Sequence, residues 1–124
     1  MDKNFSLNIM RSKFYVCPTC NNIIHSLNEA EISCCGNSLK PLIAKEIDEH
    51  YNITIEKVED EHFITVNHPM TKEHFISFMA YVTFDKVQFI KLYPEGNAEA
   101  RFNLRGKGNL YIYCNIDGLM KIKI

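Results

Sequence analysis

The chain has 124 residues, a formal charge of −1, 46% hydrophobic and 23% charged residues, so it is large enough for one ordinary domain or a small one with a smaller module attached. With no basic stripe it is not expected to bind nucleic acid, and no apolar run approaches the ~20 residues that span a bilayer. The opening MDKNFSLNIMRSKF lacks the apolar centre of a signal peptide, so a cytoplasmic protein is expected, and its five cysteines are expected as metal ligands or catalytic groups rather than disulfides.

Residues 1–43 form a first module with little apolar material. A core that small folds with help from a metal or a partner. FYVC and NNIIHSL read as short strands around Pro18-Thr19, and CCGN reads as a turn in which Gly36 takes positive φ. Cys17 and Cys20 lie in a C-x-x-C turn that puts both sulfurs on one side of a tight loop. After thirteen intervening residues come Cys34 and Cys35, an adjacent pair too strained to bridge each other easily. Four thiolates suit tetrahedral zinc or iron. The spacing does not choose between a structural zinc knuckle and a redox iron centre. His25, between the pairs, is expected as an exposed strand residue.

Residues 44–124 form the second domain. LIAKEIDEH is expected as a helical turn or a linker. Beyond it, period two dominates. NITIEK and HFITV flank VEDE as a hairpin, with His62 exposed at its turn. HFISFMAYVTF predicts one core-facing row of His74, Ile76, Phe78, Ala80, Val82 and Phe84. VQFIKLY returns, PEGNAEA is a loop, and RFNL and LYIYC are strands, the latter with Leu110, Ile112 and Cys114 on one face. MKIKI closes with Met120, Ile122 and Ile124 together. Six or seven short strands with turns between them predict an antiparallel sandwich. Alone, each of His68, His74 and Cys114 reads as a core residue. Together at strand ends they can converge at one rim, as a non-haem metal site requires.

CPTC…CCG resembles the desulforedoxin module, and NHPMTKEHFISF with YCNIDGLMKI resembles the superoxide reductase domain of the desulfoferrodoxin family. The resemblance runs from about Phe14 to Lys121. It implies an all-β protein: a desulforedoxin-like four-cysteine metal module (1–43), then an immunoglobulin-like antiparallel β-sandwich (44–124), usually as a homodimer. It also implies two irons. Cys17, Cys20, Cys34 and Cys35 would hold the first. His50, His68 and His74 would be equatorial ligands of the second, with Cys114 as axial thiolate, whose electron donation helps the product leave. The family reaction reduces superoxide to hydrogen peroxide with an electron from a separate donor, rubredoxin-like or a reductase. Zinc can substitute for iron.

Two positions depart from the family pattern. Where a histidine follows the cysteine by three residues, this chain has Asp117. A carboxylate binds ferrous iron, and an aspartate before glycine also fills a turn, so both roles stand open. Where the family has Glu-Lys-His followed two residues later by proline, this chain has Asp48-Glu49-His50-Tyr51-Asn52, with one extra residue before Ile55-Glu56-Lys57. Glu49 replaces an attractive lysine by a repulsive charge, a role Lys45 or Lys72 can take over. Asp48 can close the sixth site in the ferric form. Replacement by His62 is a lesser option. The readings are then a superoxide-reducing iron enzyme of impaired activity, or a degenerate relative acting in electron transfer or iron binding through the four-cysteine centre. A zinc-stabilised interaction module is the third.

Overall fold

The computed structural model describes residues 12–47, 51–103 and 106–124. Among them every regular element is a β-strand. The chain divides into two compact units, Met1–Ile43 and Ala44–Ile124.

In the first unit, β1 (Lys13–Val16) pairs antiparallel with β2 (Ile23–Ser26), and β3 (Ile32–Cys34) with β4 (Asn37–Leu39). The hairpins surround a core of Tyr15, Cys17 and Leu39, with Ile24, Ile32 and Cys34 packed against it. Tyr15 cross-braces them, its hydroxyl oxygen accepting the Ala30 N–H at 3.1 Å. That cluster is small, and Phe14 is the other buried apolar side chain described in this unit. His25 is exposed on β2, its ring 5.2 Å from that of Phe14.

The second unit holds β5 (Lys45–Glu46), β6 (Asn52–Val58), β7 (Glu61–Asn67), β8 (Ile76–Val82), β9 (Val87–Lys91), β10 (Glu99–Asn103), β11 (Asn109–Cys114) and β12 (Gly118–Lys123). One sheet has the order β10-β7-β6 and the other β5-β12-β11-β8-β9. All neighbours are antiparallel except β5 and β12, which run parallel through Met120↔Lys45 and Lys121↔Glu46. The core between the sheets draws Ile64 and Val66 from β7, Phe102 from β10, Met79 and Tyr81 from β8, and Leu110 and Ile112 from β11. The rows Leu110/Ile112/Cys114 and Met120/Ile122/Ile124 face it as predicted.

Four local expectations are corrected. Lys45–Glu46 is a strand, not a helical turn, since backbone pairing to β12 outweighs a weak local helix tendency. The loop before β10 stops short of Glu99, which already pairs with Thr65. His62 is not at an exposed turn: it lies half-buried on β7, edge-on to Tyr81 with ring centroids 5.5 Å apart. The predicted single row on β8 is broken. Cys114 pairs with Ile76 but Tyr113 pairs with Phe78, so Ser77 is the extra residue of a β-bulge. Ile76, Met79 and Tyr81 therefore face the core, Phe78 stacks with Phe89 and Tyr113 instead, and Phe84 is 75% exposed. Ser77 remains anchored, its carbonyl accepting the Leu92 N–H at 2.8 Å and Lys91 Nζ at 3.1 Å.

Candidate metal centres

The first cluster is built by two tight turns. After Cys17, the Asn21 N–H returns to the Cys17 carbonyl at 2.9 Å, with Asn21 at φ 62. Between β3 and β4, Cys35 (φ 54) and Gly36 (φ 78) form the two-residue loop. Positive φ at both positions matches the right-handed twist of a hairpin. Gly36 takes it freely and Cys35 at some cost. The sulfurs of Cys17, Cys20, Cys34 and Cys35 all lie within 4.8 Å of one another. Cys20 and Cys34 Sγ are 3.6 Å apart, Cys34 and Cys35 Sγ 4.0 Å. A tetrahedron with metal–sulfur bonds of about 2.3 Å has edges of about 3.8 Å, so the four fit one ion. The Cys20 backbone N–H foremost brings the Cys17 thiol down to about 6. The neighbouring sulfurs, Cys20 first, push Cys35 up to about 12. Four sulfurs in such contact cannot all ionise without a cation among them.

The second cluster gathers at one end of the sandwich. His68 follows β7, His74 precedes β8, Cys114 ends β11, and Asp117 sits in the turn into β12, where Gly118 has φ 87. One ligand atom from each lies within 4.8 Å of every other. The His68 and His74 rings stand nearly perpendicular, centroids 4.7 Å apart. Their Nε2 atoms converge on Asp117 Oδ2 at 3.5 and 3.3 Å. Among the described residues, buried His68 Nε2 makes no hydrogen bond, an open valence that a metal would satisfy. Cys114 is fully buried, yet its sulfur accepts the backbone N–H groups of Ile116 and Asp117, each at 3.4 Å. Burial pushes its thiol up, while those two amides oppose the shift. The side chain of His68 is 5% exposed, those of His74 and Asp117 32% and 36%, so solvent reaches the cluster from the side of His74 and Asp117.

The segment between His68 and His74 is fixed from several sides. The Ile76 N–H points to Met70 Sδ at 3.3 Å, and the His74 N–H to Thr71 Oγ1 at 3.1 Å. Asn115 Oδ1 accepts the Phe75 N–H, and its Nδ2 donates to the Glu73 carbonyl, both at 2.9 Å.

Cys17, Cys20, Cys34 and Cys35 thus come together, as do His68, His74, Cys114 and Asp117. Asp48, Glu49 and His50 lie outside the described residues. Lys45 and Lys72 are exposed. One member of the second cluster was not anticipated. Tyr51 donates its hydroxyl hydrogen to Asp117 Oδ2 and stacks its ring on His68 at 5.3 Å. That bond foremost holds the Asp117 carboxyl down at about 2, while burial pushes the Tyr51 phenol well above its ordinary value. The extra residue between His50 and Ile55-Glu56-Lys57 is the available sign, since it sets His50 one position too far back and leaves Tyr51 at the spacing from that motif that the resemblance gives the histidine.

The family model for desulfoferrodoxin matches residues 40–123. The chain belongs to the desulfoferrodoxin family. Among solved structures it is similar to the superoxide reductase from Treponema pallidum, at 22% identity and a TM-score of 0.77, covering 90% of this chain and 97% of that one. It also matches a superoxide reductase from Giardia intestinalis (16% identity, TM-score 0.48, 58% and 93% covered) and one from Nanoarchaeum equitans (24%, 0.41, 66% and 98%). The Treponema match establishes a shared fold over nearly the whole chain. No curated protein matches. Among the described residues no helix is long and apolar enough to cross a membrane.

Proposed function

We propose that this desulfoferrodoxin-family chain is a two-iron oxidoreductase that reduces superoxide to hydrogen peroxide at the His68/His74/Cys114 cluster. The observation that carries this is convergence: two imidazoles, a buried sulfur and a carboxylate within 4.8 Å of one another, with His68 Nε2 buried, 3.5 Å from Asp117 Oδ2 and without a hydrogen bond among the described residues. Nitrogen, sulfur and oxygen donors in that mixture suit iron or zinc. Iron held there would supply the single electron, and the reaction consumes superoxide, one electron and two protons to give hydrogen peroxide.

The protein's part is to hold and orient. The Ile116 and Asp117 amides offset the negative charge of Cys114 and keep its sulfur aimed inward. Thr71 and Asn115 fix the approach of His74. The side of His74 and Asp117 leaves a route for a small anion, with exposed Lys72 two residues before His74 to attract it. Residues 1–43 would act as the desulforedoxin-like module, with the other iron on Cys17, Cys20, Cys34 and Cys35, and residues 44–124 as the superoxide reductase-like domain. His50 remains a proposed further ligand, Asp48 a closing carboxylate and Glu49 a repulsive charge at the entrance. A separate donor, rubredoxin-like or a reductase, would supply electrons in the cytoplasm to a homodimer.

One observation favours the second reading, electron transfer or iron binding at the four-cysteine centre without turnover. Asp117 Oδ2 stands where the two Nε2 atoms point, and a carboxylate there repels an anion. The deciding experiment is metal analysis of iron-loaded protein with anomalous scattering at the iron edge, joined to superoxide consumption with a chemical reductant. Two irons per chain and hydrogen peroxide without oxygen release support the first reading. One iron and no consumption support the second.

A further inference from the structure

Tyr51 touches two members of the second cluster by two different means. Its ring lies against His68, 28° from parallel, and its hydroxyl donates to Asp117 Oδ2. It enters from the start of β6, in the three-stranded sheet, whereas Asp117 belongs to the β11–β12 turn of the five-stranded sheet. The contact therefore crosses the sandwich, over 66 positions of chain, and does not follow from local turn geometry.

An aspartate turned toward a metal can bind through one oxygen or through both. A hydrogen bond to one oxygen draws charge from the carboxylate and blocks that oxygen's lone pair on the donor side. We propose that Tyr51 is a positioning residue of the second metal site: it holds Oδ2 of Asp117, so that the carboxylate meets a bound ion as a single, weakened oxygen donor. This rests on the reading of the cluster as an iron site and deepens it. It also gives the chain a way to tolerate a carboxylate there. An unrestrained aspartate beside the Cys114 sulfur would stabilise ferric over ferrous iron, and the Tyr51 hydroxyl opposes that bias.

The test uses the full chain, iron-loaded, with the potential of each iron followed separately by its spectrum. Tyr51→Phe removes the hydroxyl and keeps the ring on His68. The second iron's potential should fall and its ferric spectrum change, with the four-cysteine iron unmoved. In an Asp117→His background, which keeps a metal-binding side chain but no carboxylate, Tyr51→Phe should leave the potential where it was. A shift of equal size in both backgrounds, or none in either, overturns the proposal. Wild-type protein that takes up no second iron overturns both this inference and the functional reading. A second iron with the expected shifts but no superoxide turnover supports this inference and removes the functional one.

Discussion

Asn115 and Phe75 bond each other in both directions: the Phe75 N–H reaches Asn115 Oδ1 at 2.9 Å, and the Asn115 N–H reaches the Phe75 carbonyl at 3.2 Å. The pair ties the segment carrying His74 to the turn carrying Cys114 and Asp117. It lies beside the Ser77 bulge, where ladder pairing between β8 and β11 is interrupted, and takes over from it.

Asn115→Ala should therefore loosen His74 more than it destabilises the fold. Each lost hydrogen bond is worth about 1 kcal/mol, but metal affinity at the second site should drop roughly 10–100-fold, as when supporting partners of ligands are removed. Competition titration with a chelator checks this, with the four-cysteine site as internal reference.

Cys114→Ser replaces the only sulfur of the second cluster. The visible band of the second iron should vanish and that of the first remain. Absorption spectra of iron-loaded protein decide the matter, and two unchanged bands would remove Cys114 from the ligand set.

Asp117→His exchanges the carboxylate for the residue type the family carries. Superoxide reduction should rise by roughly tenfold, at the low end of charge-steering effects, measured on protein with matched iron content. An unchanged rate would count against Asp117 as the fourth donor.

How much of this was legible beforehand depends on what kind of information each part needs. The four-cysteine cluster is encoded in spacing, because a C-x-x-C turn and a C-C-G hairpin place sulfurs by local backbone geometry alone. The sandwich is encoded in alternation. The bulge at Ser77 is not, because β8 is buried along its whole length and offers no polar phase to mark the slip. Tyr51 is harder to read for a related reason: its role exists only through a contact between two sheets, and the extra residue before Ile55-Glu56-Lys57 marks a departure there without revealing that contact.

Gly108, immediately before β11, is a tightly fitted position beside the five-stranded sheet. A Cβ there would run into the Val82 carbonyl oxygen and lie 3.0 Å from Thr83 Cγ2, and its backbone pairs with Ile124 at 3.1 and 3.0 Å. Gly108→Ala should cost about 1–3 kcal/mol, as overpacking does, read from denaturant midpoints.

His62 gives the sandwich a pH dependence. Burial foremost, then Lys57 across the ladder, lowers its pKa, and among the described residues its buried Nδ1 has no hydrogen-bond partner. The folded state thus binds the proton less readily than the unfolded chain. The contribution is complete above about pH 6.5 and is lost as pH falls through the lowered folded value. His62→Phe should flatten that part of the stability profile while keeping a ring against Tyr81. Equal slopes in both proteins would exclude His62 as its source.

His68 leaves the three-stranded sheet, whereas His74, Cys114 and Asp117 hang from the five-stranded one. An ion seated among them is a rivet through both layers at one end, added to the Tyr51–Asp117 hydrogen bond and the side-chain packing that join them there. Filling that position should raise the temperature at which the layers part, by an amount that grows with the logarithm of free metal over its dissociation constant. Chelation should return the same end of the molecule to its softer state, so uptake of the ion and stiffness of the scaffold are one equilibrium.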